Sequence, residues 1–282
     1  MKIYIVIPAH NEEKFIAKTL QSLVAQSLLP QKIVVVNDHS TDQTRKIVNQ
    51  FVTQYDFIEI IDTASSEDHM PGSKVINAFN EGYNTLDQDY EIICKFDADL
   101  IFPADYLEKI TNWFKEDDRI GMVGGFCYIK KNDRWILENL TNKDHIRGAL
   151  KAYRKSCFKD IEGLKPAMGW DTIDELLAQY HNWQIKTDTT LHVKHLKPTG
   201  NTYNQKSKYK QGEAFYRMRY GFWITLIASV KLGLLKKQPV LIKDYIIGYY
   251  KAKREQQPFL VSKTEGVYIR TLRWKKIKEK LF

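Results

Sequence analysis

Several features common in other classes of protein are missing from this 282-residue sequence. Its first residues, MKIYIVIP, lack the charged start, long apolar segment and small-residue cleavage site of a secretory signal. In the C-terminal part the longest uncharged stretch, from Tyr220 to Val230, has 11 residues. A membrane-spanning helix needs ~20 apolar residues. We therefore expect neither a secretory leader nor a membrane-spanning segment.

Cysteine is scarce, and the few cysteines form no recognisable site. Cys94, Cys127 and Cys157 are widely spaced beside apolar residues, without a CxxC pair or a zinc-type His/Cys cluster. This pattern predicts buried free thiols in a reducing compartment.

The first apolar run is also not followed by a glycine-rich, basic phosphate loop, which argues against nucleotidyl transfer.

Acidic residues are rare after residue 200. From 201 to 282 there are 19 Lys and Arg against five Asp and Glu, whereas the first 200 residues have 24 against 29. Such asymmetry indicates that the C-terminal part meets an anionic surface. Because no nucleic-acid-binding motif accompanies the charge, we expect a membrane and no nucleic acid.

The first hundred residues alternate between short apolar runs and helical patterns. The runs are at 3–7, 32–36, 57–61 and 91–96, and helices of 10 to 15 residues are predicted between them. Runs rich in β-branched residues are typical of strands that are buried on both faces. The pattern predicts an α/β fold with a doubly wound, Rossmann-type, mostly parallel sheet, whose ligands bind beyond the carboxyl ends of its strands.

The order after residue 100 is less regular. The pattern predicts a helix over 104–115, a glycine-containing strand over 120–126 and a basic helix over 146–158. A helix over 171–180 and a pair of strands over 184–195 follow. From Tyr209 onward the pattern is helical, aromatic and basic, without an internal repeat.

Polar clusters follow the apolar runs, and Asp97-Ala98-Asp99 is the most informative of them. Two carboxylates directly after a buried run are oxygen ligands of the kind that Mg²⁺ or Mn²⁺ prefers. Without a cation, such a pair repels itself. The alternative is a solvated turn.

A second cluster contains Asp38, which follows the run at 32–36. A carboxylate here suits the N–H of a uracil-like base, because Thr41 or Asp42 can serve as the helix N-cap. Asn11 and Glu12, after the first run, are either ligand-binding or helix-start residues.

The sequence resembles family 2 of the glycosyltransferases, inverting enzymes of the GT-A fold, over roughly residues 1–195. The matching segments are IPAHNE at 7–12, VVNDHSTDQT at 35–44, GSKVINAFNEG at 72–82, FDADL at 96–100 and GWDTIDE at 169–175. The resemblance implies a nucleotide-sugar donor site made by Pro8, Ala9, Asn11, Glu12, Asp38, Lys74, Asp97 and Ala98. It also implies a divalent metal, Mg²⁺ or Mn²⁺, held by Asp99 and His195.

The resemblance further implies a catalytic base at the start of a helix. Asp171 matches the family's base, although Trp170 stands where the family usually has Glu, and Asp174, one turn later, is the second candidate. A positioned carboxylate can take the proton of an acceptor hydroxyl. With one base and no carboxylate nucleophile, the displacement is expected to be direct and inverting.

These observations predict a catalytic domain over 1–200, with a donor half at about 1–103 and an acceptor half at about 104–200, and a basic helical region over 201–282. The expected activity is transfer of a sugar from a UDP- or GDP-linked donor to a glycan or lipid-linked acceptor in cell-surface polysaccharide or glycolipid synthesis. The alternatives are transfer to a polyprenyl phosphate and a non-catalytic scaffold that binds nucleotide sugars.

The C-terminal region has two interpretations. Its apolar residues, flanked by lysine and arginine, suit an interfacial helix on anionic lipid. They also suit a helical cap that packs on the catalytic domain. The first interpretation predicts a cytoplasmic protein, peripheral on the inner face of the cell membrane.

Overall fold

Alternating strands and helices build the first part of the chain, as the sequence predicts. The computed structural model describes residues 1–63, 72–138, 144–197 and 208–281. The first elements are β1 (Ile3–Ala9), α1 (Ile16–Val24), β2 (Lys32–Asp38), α2 (Thr44–Val52), β3 (Ile58–Thr63), α3 (Ser73–Asn84) and β4 (Ile92–Phe96). Each strand is an apolar run of the sequence, because only such runs can be buried on both faces.

The second part of the sheet contains most of the differences from the prediction. Its elements are β5 (Leu100–Ile101), α4 (Tyr106–Glu116), β6 (Ile120–Lys131), β7 (Arg134–Leu137), β8 (Leu150–Arg154), α5 (Lys155–Asp160), α6 (Trp170–Tyr180) and β9 (Gln184–His195). The predicted basic helix over 146–158 is wrong for 150–154, which form a strand paired with β4 in which Lys151 is fully buried. Residues 155–158 are helical and belong to α5. The predicted pair of strands over 184–195 is a single strand, paired with β6 along its length.

These strands form one mixed sheet in the order β3-β2-β1-β4-β8-β6-β9-β5, with β7 attached to β6. The neighbours β3, β2, β1 and β4 are parallel, β8 is antiparallel to β4, and β6 and β9 are parallel to each other. The mostly parallel sheet flanked by helices is therefore confirmed. Its parallel strands bring their carboxyl ends to one edge.

Close packing of α3 on the sheet depends on Gly82. A Cβ at this position would lie 2.5 Å from Val36 Cγ2 and 2.7 Å from Val6 Cγ1. The helix can thus sit directly on β1 and β2, and its first residues are held near the polar edge of the sheet.

Four helices make up the C-terminal part: α7 (Lys210–Arg217), α8 (Gly221–Leu235), α9 (Val240–Arg254) and α10 (Lys263–Leu281). The closest approach of α7 and α9 is at Gly212, where a Cβ would lie 1.8 Å from a backbone oxygen of α9. α10 packs on α6 through the rings of Tyr180 and Tyr268, 5.5 Å apart. The predicted boundary at residues 200 and 201 lies outside the described residues.

Within the described ranges, the helices are all too short or too polar to cross a bilayer.

Candidate active site

The ends of β1 and β2 form the first part of the site. Pro8 and Ala9 are paired with Val36 and Asn37 in the parallel register, so both strands end at the same level. The ring of His10 bonds through Nδ1 to the backbone oxygen of Asp38, 2.6 Å away. The Asp38 residue itself is buried. The structure thus brings the predicted base-binding residues Pro8, Ala9 and Asp38 side by side.

Asn11 and Glu12 lie in the loop that connects β1 to α1. The Asn11 Oδ1 atom accepts a hydrogen bond from the Thr41 backbone N–H at 2.8 Å, which ties the two loops together. The Glu12 Oε1 atom pairs with Lys197 at 3.0 Å, and its Oε2 atom is buried without a hydrogen-bond partner among the described residues. Burial raises the pKa of Glu12; Lys197 opposes this effect, and the nearby charges of Asp99 and Asp97 add to it. Glu12 therefore belongs to the same acidic group as the Asp-x-Asp turn.

The turn at Asp97-Ala98-Asp99 is fixed by buried side chains. The Thr19 hydroxyl on α1 donates to the Ala98 carbonyl at 2.8 Å and accepts from the Leu100 N–H at 3.0 Å. The buried Lys95 ammonium donates to Asp97 Oδ1 and, at 3.0 Å, to the Gly148 carbonyl. Lys95 thus holds the half-buried Asp97 carboxylate.

Asp99 ends a row of four charged groups. Its Oδ2 atom lies 3.4 Å from His195 Nε2, and His195 Nδ1 lies 2.9 Å from Glu138 Oε2. Glu138 Oε2 in turn accepts a hydrogen bond from Arg147 at 3.0 Å. Burial lowers the pKa of His195, but its bonds to Asp99 and Glu138 outweigh burial and raise the pKa to about 9. We call Glu138, His195 and Asp99 the Asp99 array.

As ligands of a divalent cation such as Mn²⁺, Asp99 and His195 are better suited than the neighbouring thiol of Cys127. The Asp99 Oδ1 atom is buried and has no hydrogen-bond partner within the described part of the chain. A carboxylate oxygen and a neutral imidazole nitrogen are ligands that Mn²⁺ accepts, so a bound cation would take the place of the proton on His195 Nε2. Cys127 also lies close to Glu138 and His195. Its thiol is a soft ligand that does not suit Mg²⁺ or Mn²⁺, and Glu138 is already paired with Arg147.

Asp171 is the second residue of α6, and its side chain is 35% exposed. Its Oδ2 atom faces the Nε2 atom of His145 at 3.6 Å, while the Nδ1 atom of His145 lies 2.9 Å from Glu175 Oε2. Burial raises the pKa of Asp171, but the facing His145 ring and the charge of Lys151 outweigh burial, so the pKa of Asp171 is lowered. Asp171 is therefore ionised and accessible. We call Glu175, His145 and Asp171 the Asp171 array.

Asp174, the second candidate for the base, lies in the interior. Its side chain is 2% exposed, and both carboxylate oxygens are bonded to the Lys151 ammonium, at 2.8 and 2.9 Å. The Tyr153 hydroxyl donates to Asp174 Oδ2 at 2.5 Å. A carboxylate with these partners has a structural role, and this arrangement favours Asp171 as the base.

Trp170 opens α6 without displacing Asp171. Its ring is buried over two ammonium groups, 5.2 Å from Lys95 Nζ and 5.8 Å from Lys151 Nζ. The negative face of an aromatic ring attracts such cations. The ring also packs on Gly148, where an added Cβ would lie 2.8 Å from it and 3.2 Å from the Asp171 Cβ.

Lys74 lies in the first turn of α3, which contacts the segment that precedes α6. The Ser73 hydroxyl donates to the Pro166 carbonyl at 3.0 Å, and a Cβ on Gly72 would lie 2.6 Å from the Ala167 carbonyl oxygen. The start of α3 is therefore beside the start of α6. The roles assigned to Lys74 and the other site residues stay predictions.

Sequence reasoning missed several residues of the site. Thr19, Lys95, Glu138 and His145 carry no motif, and each acts through a partner far away in the chain. For His195 the sequence offers one indication, its position at the end of an apolar strand. Glu138 has no comparable position in the sequence. Only the pairing of β9 with β6 brings them together.

Comparison with known proteins identifies the family. The model described as "Glycosyl transferase family 2" matches residues 4–163. "Probable glycosyltransferase YdaM" of Bacillus subtilis is 39% identical over 148 residues, which cover 51% of this chain and 34% of that protein. "Poly-beta-1,6-N-acetyl-D-glucosamine synthase" of Staphylococcus epidermidis is 25% identical over 260 residues, 82% of this chain and 59% of that protein. The chain spans about a third to two thirds of the length of such curated relatives.

Solved structures give the fold. S. aureus TarS 1–349 in complex with UDP-GlcNAc has a TM-score of 0.59 and 18% identity, covering 89% of this chain and 73% of that one. The mannosyltransferase PcManGT of Pyrobaculum calidifontis, in complex with GDP-Man and Mn²⁺, has a TM-score of 0.59 and 14% identity, covering 96% and 79%. These likenesses confirm the predicted GT-A fold. Because the family model matches more than half of the sequence, the chain belongs to family 2 of the glycosyltransferases.

Proposed function

We propose that this protein is a metal-dependent, inverting glycosyltransferase. Its donor is a UDP- or GDP-linked sugar, and its acceptor is a hydroxyl of a glycan or lipid-linked molecule in cell-surface polysaccharide or glycolipid synthesis. The observation that carries the proposal is the placement of the half-buried Asp171 carboxylate beside the Asp-x-Asp turn. Lys95 bonds both Asp97 and the Gly148 carbonyl, and Gly148 packs on Asp171.

In this reaction the acceptor oxygen forms a bond to the anomeric carbon of the donor sugar. The bond from that carbon to the diphosphate breaks, and the electron pair leaves with the nucleoside diphosphate. Asp171 takes the proton of the acceptor hydroxyl, because its lowered pKa keeps it ionised and ready to act as a base. A single displacement on the face opposite the diphosphate inverts the anomeric centre.

Each of the remaining residues has a binding role in the proposal. Pro8, Ala9 and Asp38 border the base, Asp97 and Ala98 meet the ribose, and Lys74 lies near the diphosphate. Asp99 and His195 would hold a divalent cation, which supplies positive charge to the departing diphosphate. The relatives support the donor class: TarS binds UDP-GlcNAc and PcManGT binds GDP-Man with Mn²⁺.

The direct test is release of nucleoside diphosphate from a panel of UDP- and GDP-sugars, with glycan or lipid-linked acceptors, with and without Mn²⁺. We expect turnover of at least one donor that depends on Mn²⁺ and falls nearly to zero in Asp171→Asn. Appreciable activity of that variant with a polyprenyl phosphate would favour the alternative acceptor, which needs little base catalysis. Donor binding without turnover would favour the scaffold, and absence of both would refute the proposal.

We further propose that α8 contacts the inner face of the cell membrane. The buried face of this helix contains Ile224, Thr225, Ser229 and Gly233, while several of its large apolar residues face outward. Trp223 is 65% and Leu234 67% exposed, and they share one stripe with two further apolar residues, Ile227 and Val230. The hydroxyls of Thr225 and Ser229 bond to carbonyls of their own helix, so they need no water.

The charge next to this stripe matches an anionic bilayer. Lys231, Lys236 and Lys237 are exposed at the C-terminal end of α8. Each basic residue near anionic lipid contributes about 1 kcal/mol. The contact of α10 with α6 supports the helical cap as well, so the two interpretations of this region are compatible.

Sedimentation with phosphatidylglycerol vesicles tests the membrane contact. The double substitution Trp223→Ser and Leu234→Ser should lower the partition coefficient by at least about tenfold, because it removes two large apolar side chains from the lipid. Leu29→Ser, at another exposed leucine, is the matched control and should bind like the wild type. Equal binding of all three proteins would contradict this contact.

A further inference from the structure

The histidine between the two acids of the Asp171 array has no role in the reaction as described above. We propose that His145 is a positioning residue, a protonated imidazole that holds the base Asp171 in place and keeps it ionised. The inference rests on the proposed function and adds to it the group that controls the base.

Each ring nitrogen of His145 faces a carboxylate, one at hydrogen-bond distance and one at ion-pair distance. Nδ1 of His145 lies 2.9 Å from Glu175 Oε2, and Nε2 lies 3.6 Å from Asp171 Oδ2. Ionised carboxylates only accept hydrogen bonds, whereas neutral imidazole has a single N–H. The imidazolium is the form that satisfies both acids.

Glu175 is held firmly enough to orient the ring. Its Oε1 atom accepts from the Ile146 N–H at 2.8 Å and from the Lys151 ammonium at 3.2 Å, which leaves Oε2 for His145. Glu175 and Lys151 are both buried, so this end of the array is fixed. Asp171 is the exposed end, where an acceptor can arrive.

The protonated state of His145 persists in a largely buried site. Burial lowers the pKa of His145, but the facing carboxylates of Asp171 and Glu175 outweigh burial and raise the pKa to about 9. The charged groups that surround the pair come from three segments: Asp144, Arg147 and Lys151 before and on β8, Asp174 and Glu175 on α6, and Lys276 on α10, which bonds to Asp144.

Removal of the imidazolium should therefore act on the ionisation of Asp171. Lys151 and Arg147 also favour the charged carboxylate, but both already have acidic partners of their own, Asp174 and Glu138. Without His145 the pKa of Asp171 rises. As the pH falls, Asp171 of the variant then becomes protonated at a pH where Asp171 of the wild type is still ionised.

The pH dependence of His145→Gln tests this role, since glutamine keeps a hydrogen-bonding side chain and removes the charge. An opposite charge this close changes the ionisation of a carboxylate by about tenfold or more. We therefore expect the acid limb of the kcat/KM profile of the variant to lie at higher pH than that of wild type by about one pH unit, which corresponds to this tenfold change. Binding of the donor, measured by calorimetry, should stay unchanged.

His181→Gln is the matched control, because His181 is an exposed histidine just beyond the other end of α6. Its pH profile should match that of wild type. If His145→Gln loses the same factor at every pH, its role is structural and the inference is wrong. Turnover in the wild type with an unchanged profile in the variant would overturn the inference alone, whereas a wild type without turnover overturns the proposed function.

A titration of the His145 ring by NMR gives a readout that needs no activity and no folded His145 variant. The wild-type midpoint should lie near pH 9, where the structure places the pKa of His145. Asp171→Asn removes one acid and should move the midpoint to lower pH. A wild-type ring that titrates near the ordinary histidine value, or an unchanged midpoint in Asp171→Asn, would refute the proposed pair.

Discussion

Two isosteric substitutions on one helix, Asp171→Asn and Asp174→Asn, should separate the catalytic role from the structural one. Both residues lie in the first turns of α6, and both are acids that the sequence offers as the base. Their surroundings differ: Asp171 is 35% exposed, and Asp174 is 2% exposed. We therefore expect the first variant to lose activity at nearly constant stability, and the second to lose stability.

The expected loss of stability follows from the partners of Asp174. The Lys151 side chain is 0% exposed, and Asp174 is its bidentate partner at 2.8 and 2.9 Å. Breaking a buried ion pair by removing one partner costs ~3–5 kcal/mol. Because Glu175 still lies 3.2 Å from the ammonium, we expect the lower end, ~3 kcal/mol.

The substitution Asp171→Asn should change the free energy of unfolding only a little and should lower the reaction rate strongly. The partner of Asp171, His145, is 3.6 Å away and the Asp171 carboxylate is partly exposed, so loss of this pair should change the free energy of unfolding by ~1–2 kcal/mol, less than the loss at Asp174. Removal of a positioned general base lowers kcat by ~10²–10⁴-fold.

Urea unfolding followed by circular dichroism measures the free energy of unfolding, and release of nucleoside diphosphate measures the reaction rate. Wild type and both variants are compared at one pH near neutrality. The reasoning is refuted if Asp174→Asn unfolds at the wild-type urea concentration. It is also refuted if Asp171→Asn keeps its activity while a stable Asp174→Asn loses it, which would make Asp174 the base.

Three further predictions address the metal, the packing of α3 and the loop before α2. Asp99→Ala should weaken donor binding at least about tenfold in Mn²⁺ and leave binding without metal unchanged in calorimetry, because it removes an oxygen ligand. Gly82→Ala should lower the free energy of unfolding by ~1–3 kcal/mol in urea, because its Cβ would lie 2.5 and 2.7 Å from two valine side chains. Asp42→Ala should cost ~1 kcal/mol at neutral pH, because Asp42 bonds the N–H of Thr44 at 2.9 Å. Since hydrogen bonds outweigh burial and lower the pKa of Asp42 in the folded state, this difference should shrink as the pH falls below the ordinary aspartate range.

The donor half of the fold could be predicted because its signals are local. Each parallel strand is one apolar run, and the polar residues that follow it must meet at one edge of the sheet. The ends of β1, β2 and β4 show this directly, with Ala9, Asp38 and Asp97 as their last or next residues. No long-range information was needed to group them.

The strand β8 could not be predicted, for a physical reason. Lys151 in β8 is charged, and a charge in an apolar run favours a helix with a solvated face. In the protein the charge is buried because Asp174 and Glu175, more than twenty residues later, surround it. A sequence pattern contains no information about such a partner, and the pattern over 146–158 therefore predicts a helix.

In the proposed function one site holds a cation and activates a hydroxyl, and two similar arrays would serve these two roles. Each array is an ordered Glu–His–Asp row, Glu138–His195–Asp99 in one and Glu175–His145–Asp171 in the other. The difference lies at the aspartate end. Asp99 is buried with one oxygen unpartnered in the described part of the chain, as suits a resident ligand, whereas Asp171 is a third exposed, as suits a visiting one. Residues 145–147 serve both arrays, because His145 contacts Asp171 and Arg147 contacts Glu138. A shift of this short segment would therefore disturb the base and the metal site together.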